Sequence, residues 1–479
     1  MYFPPILRLF FTGLGLSLLT ASVNAEQEAS RYYFIDEPVF QGRAYIVEAG
    51  NPQKPLLIFV HGLGDRAAET WRRFISILSN DFHVVSFDLP GFGHSSKANK
   101  LYSPDNYVQF IQYVARRYKQ KSFMLVGHSM GGNIALRYAA TYPEDLDRLM
   151  LIDAAGILHR FSYVKFLNHY GIKILPQFYK EQTQDLESVS DFLLGPLGEN
   201  AGLIELGEKL ILGQPALREN LLGAEPAAIA AYAMIMTDYS RVLTAMKVPT
   251  LILWGGQDAV TPLRTAKVLA SALPNSGLIV FDSAGHSLMD EEPARFIDVL
   301  RQFSSLDKIR FNNMLMQHRY TRVKHSSASS SQDIDCQQRS VDKIEGNYKE
   351  ITIRNCHDIL LHKISANKVR LFHSKVAIEN CDIENSNEVA LENIDSDALI
   401  TVCTIKGKPA VTIKNSNLDL AGIQLVSETQ VIKNIGNKLD ETGNIVGGGK
   451  LLFSVSKINS EYLEKYLHGP LLIRPGEGL

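Results

Sequence analysis

The sequence predicts an α/β fold with a mostly parallel sheet, followed by an all-β region of stacked repeats. Three observations carry that reading. Short apolar runs alternate with helical stretches over about residues 32–305, as strands and covering helices do. A serine stands between two glycines at a strand-to-helix junction, in Gly127-His128-Ser129-Met130-Gly131. Beyond residue 345 an alternating pattern ending in asparagine recurs at roughly 20–25 residues, the range of stacked coils.

The chain has 479 residues, enough for two to four domains of ordinary size. A hydrophobic content of 45% allows a sizeable core, and a net charge of −2 gives no electrostatic case for nucleic acid. The amino terminus reads as a secretory signal over 1–25. Arg8 supplies the positive start, Leu9 to Val23 is apolar or small, and Val23-Asn24-Ala25 is a small-residue cleavage site. The run is short for a spanning helix, which disfavours an uncleaved anchor. Export to the periplasm or medium of a bacterium is therefore expected.

Arg43 to Glu48 reads as an early strand. Pro55 to Val60 is continuously apolar, as in a strand buried on both faces, and leads into the loop His61-Gly62-Leu63-Gly64. Trp71 to Leu78 reads as a helix and His83 to Asp88 as a strand. Ser103-Pro104-Asp105 opens a helix to about Lys119, with proline and acid suited to a first turn. Phe123 to Val126 is the strand before the serine, and Asn133 to Ala140 the helix after it. Further strands are Arg148–Asp153, Pro249–Gly255 and Gly277–Phe281. Residues 156–247 lack a clear buried strand and carry helical segments with Phe161, Tyr163, Phe166, Tyr170, Phe178 and Tyr179. They read as a helical cap over the serine turn, apolar enough to exclude water and select apolar acyl groups.

Glycines at 127 and 131 suit a sharp turn that lifts the Ser129 hydroxyl above the sheet. A serine nucleophile needs a base and a carboxylate to orient it, in the chain order serine, acid, histidine. Asp258, in Trp254-Gly255-Gly256-Gln257-Asp258, and His286, in Ser283-Ala284-Gly285-His286-Ser287, follow late strands as that order requires. Asp153 is the competing acid, and Asp88 reads as structural. The backbone N–H groups of Met130 and Leu63 are the expected oxyanion donors. His61 is expected to shape its loop by hydrogen bonding, while His94 and His128 read as supporting or packing residues. No metal or cofactor is implied.

These five motifs, at 61–64, 88–95, 127–132, 254–258 and 285–286, resemble those of the α/β-hydrolase family. The resemblance is nearest to its capped branch of esterases, lipases and carbon–carbon bond hydrolases, and covers about residues 32–305. It implies an α/β-hydrolase fold with a helical cap. A serine at the nucleophile position argues against the dehalogenase and epoxide hydrolase branches, which require a carboxylate there. The expected substrate is a small to medium ester with an apolar acyl group. Carbon–carbon bond or peptide hydrolysis on the same triad is the alternative.

Residues 306–344 read as a basic connector containing a flexible linker, Ser326-Ser327-Ala328-Ser329-Ser330-Ser331. The repeats follow: Ile351 to Cys356, Val376 to Cys381 and Val411 to Ser416, with a partial copy at Ala390 to Asn393. They resemble a short right-handed parallel β-helix, in a domain spanning 345–479. Asn355, Asn380 and Asn415 are expected to stack at one corner. Cys356 and Cys381 would lie one coil apart, with Cys403 on the next, as a buried thiol ladder, with disulfides between rungs the alternative. The resemblance implies an accessory module for cell-surface or glycan contact, and a surface-binding protein is the rival to an enzyme.

Overall fold

The computed structural model describes residues 30–64, 66–159, 209–338, 341–436, 449–460, 464–473 and 479. The expected signal segment, and residues 160–208 of the expected cap with all six of its quoted aromatics, lie outside the described residues.

The first domain is an eight-stranded sheet. Its strands are β1 (Arg31–Glu37), β2 (Gly42–Ala49), β3 (Leu56–Val60), β4 (His83–Phe87), β5 (Phe123–His128), β6 (Leu146–Ile152), β7 (Thr250–Gly255) and β8 (Ser276–Phe281). The spatial order is β1-β2-β4-β3-β5-β6-β7-β8. The first two strands join antiparallel, and β3 to β8 run parallel. Every residue of β3, β4, β5 and β7 is buried, because helices cover both faces. One apolar cluster lies on each face, centred on Ile58, Leu125 and Ile252 on one side and on Leu57, Val126 and Leu253 on the other.

The covering helices are α1 (Arg72–Leu78), α2 (Pro104–Ala115), α3 (Met130–Thr141), α4 (Pro215–Leu222), α5 (Pro226–Ile235), α6 (Leu263–Ala272), α7 (Leu288–Glu291), α8 (Pro293–Ser305) and α9 (Lys308–Gln317). Ser103 caps α2 by accepting the Asn106 N–H, ahead of Pro104 at the first turn. The sequence reading placed α9 in a connector. Instead Phe311, Met314 and Leu315 are buried beside β8, and the Leu278 N–H donates to the His318 carbonyl at 2.8 Å. The helix thus covers the open edge of the sheet.

The second domain is all β, and its parallel strands stack as coils in a β-helix-like arrangement. Its strands are β9 (Ser331–Asp335), β10 (Lys343–Arg354), β11 (Ile359–Phe372), β12 (Lys375–Glu384), β13 (Leu391–Ile394), β14 (Asp397–Lys406), β15 (Val411–Lys414), β16 (Ser416–Ala421), β17 (Gln424–Ser427), β18 (Ile432–Asn434), β19 (Gly449–Ser460) and β20 (Glu464–Ile473). All pair in parallel except β19 with β20. Residues in register form three apolar ladders. Ile351, Val369, Leu391, Val411 and Ile432 make one. Leu361, Ile378, Ile400, Leu420 and Phe453 make the second. Ala366, Ile383, Ile405, Leu425 and Ile458 make the third. Each coil therefore has three sides, and their inward residues fill one core.

Three expectations fail here, two of them because the coil has three sides and advances by about 20 residues. Asn355 and Asn415 do share a corner, with His373 and Asp395 between them, all at positive φ. Asn380 occupies a different corner, in register with Val402. Cys356 and Cys381 lie at different corners for the same reason and do not stack. Cys356 pairs with Cys336, and Cys381 with Cys403 on the next coil, so two disulfides replace the expected thiol ladder. At the first corner the Cys336–Cys356 bridge is continued by serines: Cys356, Ser374 and Ser396 each donate their N–H to the next hydroxyl, of Ser374, Ser396 and Ser416.

The serine-rich linker is likewise not a loose tether. The Val323 N–H donates to Asn380 Oδ1, the His325 N–H to Asp382 Oδ2 and the Ser326 N–H to the Ser365 hydroxyl, which lays the segment along the coils. Parallel pairing then begins at Ser331, ahead of the expected boundary at 345.

The two domains share a core. Val402, Ala421 and Val455, on three coils, pack into the hydrophobic cluster of the first domain.

Candidate active site

Ser129 joins β5 to α3 with φ 54° and ψ −119°, a combination a non-glycine residue holds only under constraint. The glycines explain the constraint. A Cβ at Gly127 would lie 2.2 Å from the Gly131 carbonyl oxygen, and one at Gly131 would lie 2.3 Å from that of Val60. The turn closes only if both stay bare.

The structure brings Ser129, His286 and Asp258 together. His286 Nε2 is 3.0 Å from the Ser129 hydroxyl, and its Nδ1 is 2.8 Å from Asp258 Oδ2. Asp258 follows β7 and His286 follows β8, so all three stand at the carboxyl ends of parallel strands. The Asp258 carboxylate is heavily bonded. Its Oδ1 accepts the Val260 N–H at 2.7 Å and the Thr261 N–H at 2.8 Å, and Oδ2 accepts the Thr261 hydroxyl at 2.5 Å. Burial alone would raise its pKa, but the hydrogen bonds and charge of His286, with those of Thr261, hold it below the usual carboxylate range. The sequence did not single out Thr261. Nothing local in Asp258-Ala259-Val260-Thr261 distinguishes it from an ordinary turn.

Asp153, the competing acid, directly follows β6 with φ 46° and is buried. Its Oδ1 accepts the Gly255 N–H at 2.8 Å. Burial, reinforced by the neighbouring Asp258 charge, drives its pKa well up. Asp258, not Asp153, makes the hydrogen bond to His286.

Met130 begins α3 directly after Ser129, so its N–H belongs to the first turn, whose donors lack intrahelical acceptors. Leu63 lies on the opposite loop and lines the same cavity as Ser129 and His286, a space of about 260 Å³ among the described residues. His61 orders that loop: its Nδ1–H donates to the Gly62 carbonyl at 2.7 Å, and its Nε2 accepts the Leu89 N–H at 2.9 Å. Complete burial lowers its pKa to about 4, which matches this neutral tautomer. His128 donates from Nε2 to the His286 carbonyl at 2.8 Å, and burial lowers it to about 3. Asp88 is structural, accepting the N–H groups of Ala68 and His94. His94 is exposed and leans on that carboxylate. Arg66 and Asp290 pair at 2.6 Å across the cavity rim, a feature the sequence did not single out.

Among the described residues, two groups have donor atoms close enough to share a cation. In the first, His128, Asp153 and His286, the nitrogens of His286 already serve Ser129 and Asp258. In the second, His325, Asp382 and Glu384, Glu384 is paired with Lys406 and Asp382 accepts the His325 N–H. Neither is an open set of ligands.

A serine hydroxyl, an imidazole and a buried carboxylate in this chain of contacts can pass a proton from serine to histidine while the carboxylate balances the imidazolium. Residues 55–200 and 208–293 match the family described as alpha/beta hydrolase fold. With the sheet and its serine turn, the match places the N-terminal domain in the α/β-hydrolase superfamily, and its homologues support hydrolase activity. An uncharacterized protein of Mycobacterium tuberculosis is 28% identical over 268 residues, covering 52% of this chain and 75% of its own. An uncharacterized hydrolase of Bacillus subtilis is 29% identical over 267 residues, covering 53% and 91%. A monoacylglycerol lipase of Xenopus laevis is 28% identical over 285 residues, covering 53% and 77%.

Proposed function

We propose that the protein is an exported serine hydrolase that cleaves carboxylic esters through an acyl-enzyme. The contact that carries this reading is the Ser129–His286–Asp258 chain at the strand ends. His286 takes the hydroxyl proton as Ser129 attacks the ester carbonyl, and the alcohol leaves with that proton. The N–H groups of Met130 and Leu63 receive the oxyanion. Water then attacks the acyl group with His286 again as base, releasing the acid and restoring Ser129. An ester substrate is supported by the lipase name of the Xenopus relative and by the apolar Leu63 and Met289 lining the cavity. Export is supported by the leader pattern of residues 1–25 and by two disulfides, which persist in oxidising compartments.

The test is turnover of a chain-length series of p-nitrophenyl esters, with labelling by a fluorophosphonate. We expect ester turnover and labelling in the wild type. Ser129→Ala should abolish labelling and lower kcat by about 10⁶-fold. Turnover of diketones or peptides in preference to every ester would move the reading to those bonds. No labelling of Ser129 and no ester turnover would overturn it.

A further inference from the structure

A cluster of contacts between the domains falls on the first turns of α6, the helix that starts just past the Asp258 loop. Arg264 is its second residue. Its guanidinium lies almost wholly inside the interface, with a side-chain exposure of 12%. Among the described residues, its hydrogen-bond partners all belong to the β-helix-like domain. Nε donates to the Thr401 hydroxyl at 2.7 Å, Nη1 to Asp419 Oδ1 at 3.0 Å, and Nη2 to the carbonyls of Ile400 and Asp419, each at 3.0 Å. Those partners sit on two successive coils. One turn further along, Lys267 pairs with Glu379 at 2.6 Å on the preceding coil. Val268 packs over Gly422, where a Cβ would come within 3.2 Å.

The helix start and the Asp258 carboxylate are mechanically one piece. Thr261 bonds Asp258 through both its N–H and its hydroxyl, Pro262 stands at the N-cap position of α6, and Arg264 follows. A guanidinium fork held at four points has little freedom, and only arginine offers that geometry. The second domain also touches the chain where it leaves the sheet toward residues 160–208, with the His159 N–H donating to the Ser454 hydroxyl at 2.9 Å.

We propose that Arg264 is a positioning residue for the Ser129–His286–Asp258 array, and that the β-helix-like domain is the fixed wall through which it holds the acid loop. The inference rests on the serine hydrolase reading above. It differs from the expected accessory module for cell-surface or glycan contact: the second domain acts on the first domain's chemistry without touching substrate.

The experiment uses the full chain, with ester turnover and the fluorophosphonate labelling rate as readouts. Arg264→Gln and the milder Asp419→Asn are compared with wild type and with Asp258→Asn, alone and combined. Misplacing a reacting group by about 1 Å costs on the order of 10²-fold, so we expect Arg264→Gln to lower kcat by roughly 10-fold to 100-fold with little change in KM. Because Arg264 acts through Asp258, the same change in an Asp258→Asn background should cost nothing further. A purely structural role would lower the melting temperature and act equally in both backgrounds. If Arg264→Gln does not fold, Asp419→Asn and Thr401→Val carry the same comparison. Unchanged kcat in these variants, or equal losses in both backgrounds, with Ser129 still labelled, overturns this inference alone. A wild type that neither labels nor turns over esters overturns it together with the serine hydrolase reading.

Discussion

Asp258 takes hydrogen bonds from His286, Val260 and Thr261 on a single buried carboxylate. An amide in its place keeps one accepting oxygen and puts a donating NH2 at the other position, so Asp258→Asn should present His286 in the wrong tautomer. The expected result is a kcat lowered by about 10⁴-fold with circular dichroism unchanged. Glu48 shows the other use of a buried carboxylate. Burial alone would raise it, but hydrogen bonds from His83 and Tyr33 and the charge of Arg31 outweigh that and lower its pKa from 4.5 to about 2. A carboxylate depressed in the folded state binds protons more readily when unfolded. Its stabilisation is therefore complete above 4.5 and is lost as pH falls toward 2. Glu48→Gln should cost about 1–3 kcal/mol near neutral pH, by leaving the buried His83 and the half-buried Tyr33 under-bonded. It should also flatten the acid limb of melting temperature against pH, which calorimetry across that window would read. At this scale the sequence was informative wherever chemistry coincides with a glycine-bounded loop, as at Ser129, Asp258 and His286. Thr261 and Arg264 were not legible, since their partners lie in a carboxylate's second oxygen and in a domain more than a hundred residues away.

Elements were legible where one face meets the core and illegible where tertiary contacts override composition. The serine turn is the clearest case. Gly131 has no room for a methyl group, with the Val60 and His61 carbonyls at 2.3 and 2.5 Å from a built Cβ. Gly131→Ala should destabilise by about 3 kcal/mol or more, while Ser129→Ala should melt close to wild type; paired thermal melts separate the two. Strand β1 was missed because its outer residues Tyr32 and Phe34 are exposed aromatics on an edge, so the run lacks a clean alternation of polarity. Helix α9 was missed because Lys308 and Arg310 suggested a solvated connector. The residues that matter, Phe311, Met314 and Leu315, recur at helical spacing within it. Phe311→Ala should cost about 3–5 kcal/mol, measurable by urea denaturation, because the ring is buried.

Considered whole, the molecule is two folds joined by a common interior. The presence of repeats was visible in the sequence. Their three-sided path was not, and it is what moved Asn380 and Cys381 away from the corner of Asn355 and Cys356. Because Val402, Ala421 and Val455 belong to the first domain's cluster, calorimetry should record one unfolding transition rather than two. The disulfides close sequence separations of 20 and 22 residues, and each should contribute about 3 kcal/mol by restricting the unfolded chain. Reduction should therefore lower the single midpoint for both domains together, and a hydrolase signal that survives while the repeats melt would contradict this.

Docking contacts fall on each of four consecutive coils: Glu379 on one, Thr401 and Val402 on the next, Asp419 and Ala421 after that, then Ser454 and Val455. Coils are spaced by about 4.8 Å, so they meet the first domain like teeth on a rack. Repeat arrays usually gain or lose units freely, since each coil contacts only its neighbours. Here an added or deleted coil inside that span would advance every later tooth by one pitch, leaving Arg264 facing the wrong rung. The copy number of this repeat is set by its fit to a different fold. Change in this domain is thereby confined to coils outside the meshed span and to the sides that face away.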